Sequence, residues 1–83
     1  MSMFFFTFRA GTQARLGAEI LRKAGISARV AKTPSQLSRY GCGYGLWIPE
    51  GQAQTASGLL KSGGRSYIKC YRMINGTFRE VRL

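Results

Sequence analysis

The chain has no histidine, and its only acids are Glu19, Glu50 and Glu80. The residues that complete a hydrolytic site are therefore missing, since activating a serine or cysteine nucleophile usually needs an imidazole or carboxylate base. Two cysteines without histidine are too few for a structural zinc site, so no metal is expected. No stretch approaches the roughly 18 consecutive apolar residues that span a bilayer. Met3-Phe4-Phe5-Phe6 is too short for the core of a secretory leader and runs into Arg9, so no membrane association is expected. Cysteine is scarce, and disulfides are rare in reducing compartments, so the expectation is a cytoplasmic protein. Repeats, low-complexity tracts and linkers are absent, which leaves one domain over residues 1–83.

Positive charge, by contrast, is abundant. Thirteen Lys and Arg against 3 acids give a formal charge of +10, a field that favours polyanions or acidic protein surfaces. A hydrophobic fraction of 45% with 12% aromatics is that of a folding chain.

Residues 3–8, Met-Phe-Phe-Phe-Thr-Phe, read as a central strand buried on both faces. Thr12 is placed to cap a helix over 13–24, with Leu16, Ile20, Leu21 and Ala24 on one face and Gly25 past its end. Ile26 to Lys32 alternates as a half-buried strand, and Tyr44 to Ile48 reads as a third, stopped by Pro49. Ala53, Ala56, Leu59 and Leu60 mark a second helix over 52–62, ended by Gly63-Gly64. Ser66 to Ile74 reads as a strand that meets Asn75-Gly76, a strong hairpin signal. That turn sets Ile74 opposite Thr77, Met73 opposite Phe78, Cys70 opposite Val81, and Arg72 opposite Arg79. Two like charges face each other there, which requires solvent or an acidic partner. The expected fold class is α+β, a ferredoxin-like βαββαβ sandwich with an additional C-terminal strand or hairpin.

Between the second and third strands, Thr33 to Gly45 has no periodicity and carries Cys42 between Gly41 and Gly43. Flanking glycines let a partner approach the sulfur closely. In a ferredoxin-like sheet the start of the third strand lies beside the end of the first, which brings this loop to Arg9, Gly11 and Thr12 at the start of the first helix. The positive end of the helix dipole, with Arg9, Lys32 and Arg39, favours a thiolate. The alternative is a small half-buried side chain in a turn. Cys70 alternates with Ile68 on an apolar strand and reads as packing.

The strand Phe4 to Phe8, Ala14, Glu19-Ile20-Leu21, Gly25-Ile26, Thr33-Pro34, Leu37-Ser38 and Cys42-Gly43 resemble the small bacterial selenium/sulfur carrier protein-like family, in order over roughly residues 3–70. The resemblance implies that Cys42 is the carrier thiol, holding covalently bound sulfur or selenium as a persulfide or selenosulfide. It needs no other cofactor, and its partners are donor and acceptor proteins. The surrounding candidates for substrate contact are Arg9, Gly11, Thr12, Lys32, Thr33, Ser38, Arg39, Gly41 and Gly43. Ser35 stands where the family usually has arginine, so Arg39 or Lys32 takes over any anion-holding role. On this reading the chain is a carrier or binding protein rather than a stand-alone enzyme, and a homodimer is left open.

Two other classes fit the charge. One is a single-stranded nucleic-acid-binding module, because Gly43-Tyr44-Gly45-Leu46-Trp47-Ile48 and the aromatic first strand echo an RNA-recognition sheet. The other is a small adaptor or inhibitor that docks its arginines on an acidic surface.

Overall fold

The computed structural model describes residues 2–37, 43–65 and 67–83. Five strands form one antiparallel sheet in the order β2-β3-β1-β4-β5, where β1 is Met3–Phe8, β2 Arg29–Lys32, β3 Tyr44–Pro49, β4 Cys70–Ile74 and β5 Thr77–Val81. Two helices, α1 (Gly11–Lys23) and α2 (Ala53–Ser62), join β1 to β2 and β3 to β4. This is the expected α+β arrangement, a ferredoxin-like sheet with β5 added at one edge.

β1 is central because its run of aromatic residues must be covered on both faces. Phe4, Phe6 and Phe8 point to the helices and pack with Ala14, Ala18, Leu21, Leu46, Ile48, Ala56, Leu60 and Cys70. Burying side chains of this size contributes about 1.5–3 kcal/mol each. Small residues on α1 let it settle close: Gly17 is buried, and a Cβ there would stand 3.1 Å from Leu60 Cδ2 and 3.2 Å from Phe8 Cζ.

α1 starts two residues earlier than the sequence suggests. Ala10 occupies the N-cap, and no side chain among the described residues caps the helix; Thr12 lies inside the first turn, exposed. The extended backbone of Ala10 (φ −141°, ψ 157°) starts the helix, and its carbonyl accepts from Ala14 N at 3.1 Å. The other end is as expected. Gly25 N donates to the carbonyl of Arg22 and Ile26 N to that of Leu21, a Schellman closure that turns Ile26 into the core. Arg22 then reaches back, Nη2 donating to the Ala28 carbonyl at 3.0 Å, and so ties the helix end to the lead-in of β2.

β4 begins at Cys70, later than the expected strand, whose first residue Ser66 lies outside the described residues, because the pairing with β1 is interrupted. Ile68 N donates to the Thr7 carbonyl while Thr7 N donates to that of Lys69, so two residues oppose one in a β-bulge. The Thr7 hydroxyl stitches the bulge, accepting from Lys69 N at 3.0 Å. Ile68 is left 53% exposed. The hairpin has the expected register throughout, Cys70 with Val81 and Arg72 with Arg79. Asn75 (φ 50°) and Gly76 (φ 78°) both take the left-handed backbone that a type I′ turn requires. Arg72 escapes its like-charged neighbour within the chain: its Nη2 lies 2.6 Å from Glu50 Oε1, in the 3-10 turn Glu50–Gln52 that precedes α2. The acid that the hairpin calls for is thus internal.

Gly58 lies exposed in α2, with nothing within 4 Å of where a Cβ would stand. Gly58→Ala is expected to raise stability by about 1 kcal/mol, because alanine loses less backbone entropy in a helix. Urea unfolding followed by far-UV circular dichroism checks it, and an unchanged or lower midpoint contradicts it.

Candidate functional site

The Cys42 loop leaves β2 and enters β3, and the described residues at both of its ends are firmly held. Lys32 pairs with Tyr44 across β2 and β3, and Phe8 pairs with Tyr44 across β1 and β3. Just beyond, Thr33 N donates to the carbonyl of Gly43 at 3.0 Å. Gly43 has φ +125°, a backbone that side-chain-bearing residues rarely adopt. A Cβ there would stand 3.3 Å from Thr33 Oγ1 and 3.8 Å from the Phe8 carbonyl oxygen. Glycine is needed at 43 for its backbone, and it brings the loop's exit against the end of β1.

The start of α1 closes the same corner. Tyr44 lays its ring over Gly11, the first residue of the helix; a Cβ on Gly11 would stand 3.2 Å from Tyr44 Cδ1. Tyr44 nevertheless stays 43% exposed. The first turn of α1 contains no acid, among the described residues no side chain caps it, and its leading N–H groups have no intrahelical acceptors, as at any helix start. Sequence reasoning missed the role of Tyr44. Its signal was the alternation Tyr44, Leu46, Ile48, which puts the ring on the helix side.

Of the expected site residues, Arg9, Gly11, Thr12, Lys32, Thr33 and Gly43 come to this one end of the sheet, where β1 and β2 end and β3 begins. Arg9, Thr12 and Lys32 are exposed, while Gly11, Thr33 and Gly43 are half-buried. Cys42 itself, with Ser38, Arg39 and Gly41, lies outside the described residues. Antiparallel pairing brings two further cations to this end: Lys69, just before β4, and Arg82, just after β5, are both exposed. Glu80 is nearby, its carboxylate 3.7 Å from Lys69 Nζ. With four cations and one already paired carboxylate at this rim, the potential here is positive.

The second cysteine has the opposite environment. Cys70 is a free thiol, 1% exposed, in the core between β1 and the helices. Burial disfavours its charged form and pushes its pKa up to about 12. It is therefore a protonated, shielded sulfur at neutral pH. Among the described residues, no group of three or more His, Cys, Asp and Glu is arranged to hold a metal ion. Nor is any helix among them long and apolar enough to cross a membrane.

Residues 3–72 match the family described as "Putative Se/S carrier protein-like". No curated protein and no solved structure matches the chain. The match spans β1 through most of β4 and stops before β5, so the terminal hairpin is completed outside it. The match takes in the corner built by Gly11, Thr33, Gly43 and Tyr44, and the chain belongs to the Se/S carrier protein-like family.

Proposed function

We propose that the chain carries sulfur or selenium on Cys42 and exchanges it with donor and acceptor proteins in a reducing compartment, the cytoplasm. The observation that carries the reading is the anchoring of Gly43, the residue bonded to Cys42, against the end of β1, at the same end of the sheet as the start of α1. A thiolate near such a helix start is favoured by the dipole and by free N–H groups, and Arg9 and Lys32 add positive charge. In sequence, Ser38, Arg39 and Gly41 belong to the same segment as Cys42, and Thr12 and Thr33 offer hydroxyls at the described end of the sheet.

The transfer is a thiolate exchange. Cys42 thiolate attacks the outer sulfur of a donor persulfide, R–S–SH, the S–S bond breaks, and R–S⁻ leaves, giving Cys42–S–SH. The acceptor thiolate repeats the step on that outer sulfur and releases Cys42 thiolate. The sulfane sulfur passes on without net oxidation or reduction, and selenium in its place follows the same path. A lowered pKa keeps the attacking sulfur ionised near neutral pH, and also makes it a good leaving group in the second step.

Cys70 makes the test simple. The chain has two cysteines, and one of them is buried and protonated at neutral pH. Iodoacetamide should label the folded protein once, with an apparent pKa below the free-thiol value of about 8.5, and label the unfolded protein twice. Cys42→Ser should abolish the native labelling as well as uptake of cyanide-labile sulfur from a persulfide donor. A single native thiol titrating at or above about 8.5, or no sulfur uptake by the wild type, would sink the carrier reading.

A further inference from the structure

The helices pack on the face of the sheet that carries Phe4, Phe6 and Phe8, and alternation puts Met3, Phe5 and Thr7 on the other. That second face carries a row of its own across the strands: Arg29 opposite Trp47, Trp47 opposite Phe5, Phe5 opposite Tyr71, and Tyr71 opposite Glu80. Phe5 is fully buried although neither helix lies over it. Its ring sits on Gly45 and meets Trp47 edge-on at 4.9 Å. Trp47 stands 6.0 Å from Phe78, which Tyr71 approaches edge-on at 6.5 Å. Four rings thus link across β3, β1, β4 and β5. Trp47, Tyr71 and Phe78 are each half-exposed, and Met3, Pro49 and Met73, also half-buried, fill the gaps.

A continuous aromatic surface on a chain of charge +10 restricts what can cover it. A second copy would bring two strongly positive chains face to face, at a Coulomb cost. The three acids offer little resistance to an anion: Glu50 is paired with Arg72, Glu80 with Lys69, and Glu19 lies on α1. The covering molecule must therefore present flat apolar groups together with negative charge, and nucleic acid with its bases unpaired does both.

We infer that single-stranded nucleic acid lies across this sheet face, its bases stacking on Trp47, Tyr71 and Phe78 and its phosphates meeting Arg29 and Arg82. Phe78 and Arg82 lie beyond the residues matched by the family, so the terminal hairpin completes the platform. No thiol takes part, which separates this proposal from the carrier reading.

Trp47 is the chain's single tryptophan, so its emission reports on this face alone. Titration of the full chain with oligo-dT or oligo-U of about a dozen nucleotides should quench it. Affinity should fall about 7-fold between roughly 50 and 200 mM salt, as expected for about two phosphate contacts on a single strand. Phe78→Leu keeps the apolar bulk and loses the ring; it should weaken binding about 10-fold. Arg29→Glu with Arg82→Glu, both exposed, should flatten the salt dependence without unfolding the protein. Three results would overturn the inference: oligonucleotide binding by anisotropy with no change in Trp47 emission, equal quenching by polyglutamate, which would point to an acidic protein, or quenching on raising protein concentration alone, which would point to self-association. Absence of binding at the lower salt would overturn it as well.

Discussion

Gly45→Ala is expected to lower stability by about 3 kcal/mol or more, a large share of what a domain of this size possesses. Gly45 lies in β3 opposite Thr7. A Cβ at this position would stand 2.3 Å from the Phe6 carbonyl oxygen and 2.6 Å from both Cε2 and Cζ of Phe5. Neither neighbour can give way cheaply. The carbonyl belongs to the backbone of β1, which is paired with β3 on one side and β4 on the other. The Phe5 ring is fully buried and braced by Trp47. Gly17 makes a useful contrast, because a Cβ there meets only the tips of Leu60 and Phe8 at 3.1 and 3.2 Å. Gly17→Ala should therefore cost less, through repacking of side chains rather than displacement of a central strand. Urea unfolding followed by Trp47 emission separates the two. A Gly45→Ala variant within about 1 kcal/mol of wild type would mean that β1 and β3 can part without loss, against the close approach described above.

Much of this architecture is readable from residue types alone. The Asn75-Gly76 pair specifies a two-residue turn, and through it the partner of every residue from Cys70 to Val81. Gly25 (φ 81°) and Gly64 (φ 72°) close their helices because a left-handed backbone there is cheap only for glycine. Where the reading slipped, a tertiary contact outweighed a local preference. Thr12 has the right chemistry for a cap, yet Tyr44 packing on Gly11 holds the chain in helix from residue 11. The bulge at Ile68 and Lys69 has no sequence marker, since its stabiliser is the hydroxyl of Thr7, 62 residues away. Glu50 likewise gave no sign that it would neutralise Arg72. The Phe-Phe-Phe run did announce burial on both sides, but which rings would form a core and which a surface depended on strand order. Of the candidate site, the flanking scaffold of Lys32, Thr33, Gly43, Gly11 and Arg9 followed from the ferredoxin-like order, whereas the covering ring of Tyr44 did not.

Cys70 should make the protein lose stability in alkali. Its thiol ionises near 9.0 when unhindered and is pushed up to about 12 by burial. Below about pH 9 both folded and unfolded chains hold the proton, and the sulfur's full contribution to stability is present. Between about 9 and 12 the unfolded chain releases the proton while the folded one keeps it, so unfolding becomes progressively easier. Over that window the loss sums to about 4 kcal/mol, at 1.36 kcal/mol for each tenfold change in proton concentration. The informative quantity is the difference from Cys70→Ala, which removes the ionising sulfur and leaves every other group in place. The alanine variant should be the less stable at neutral pH, having lost a well-packed sulfur, and the gap should shrink and then reverse as the pH rises. Urea midpoints at a series of pH values measure it, and parallel curves would show that the sulfur is reached by solvent in the folded chain. That outcome would matter for function too. The labelling experiment assigns native thiol reactivity to Cys42 only while Cys70 remains protonated and shielded, so a Cys70 that ionises near 9 would leave two sulfurs competing for the carrier role.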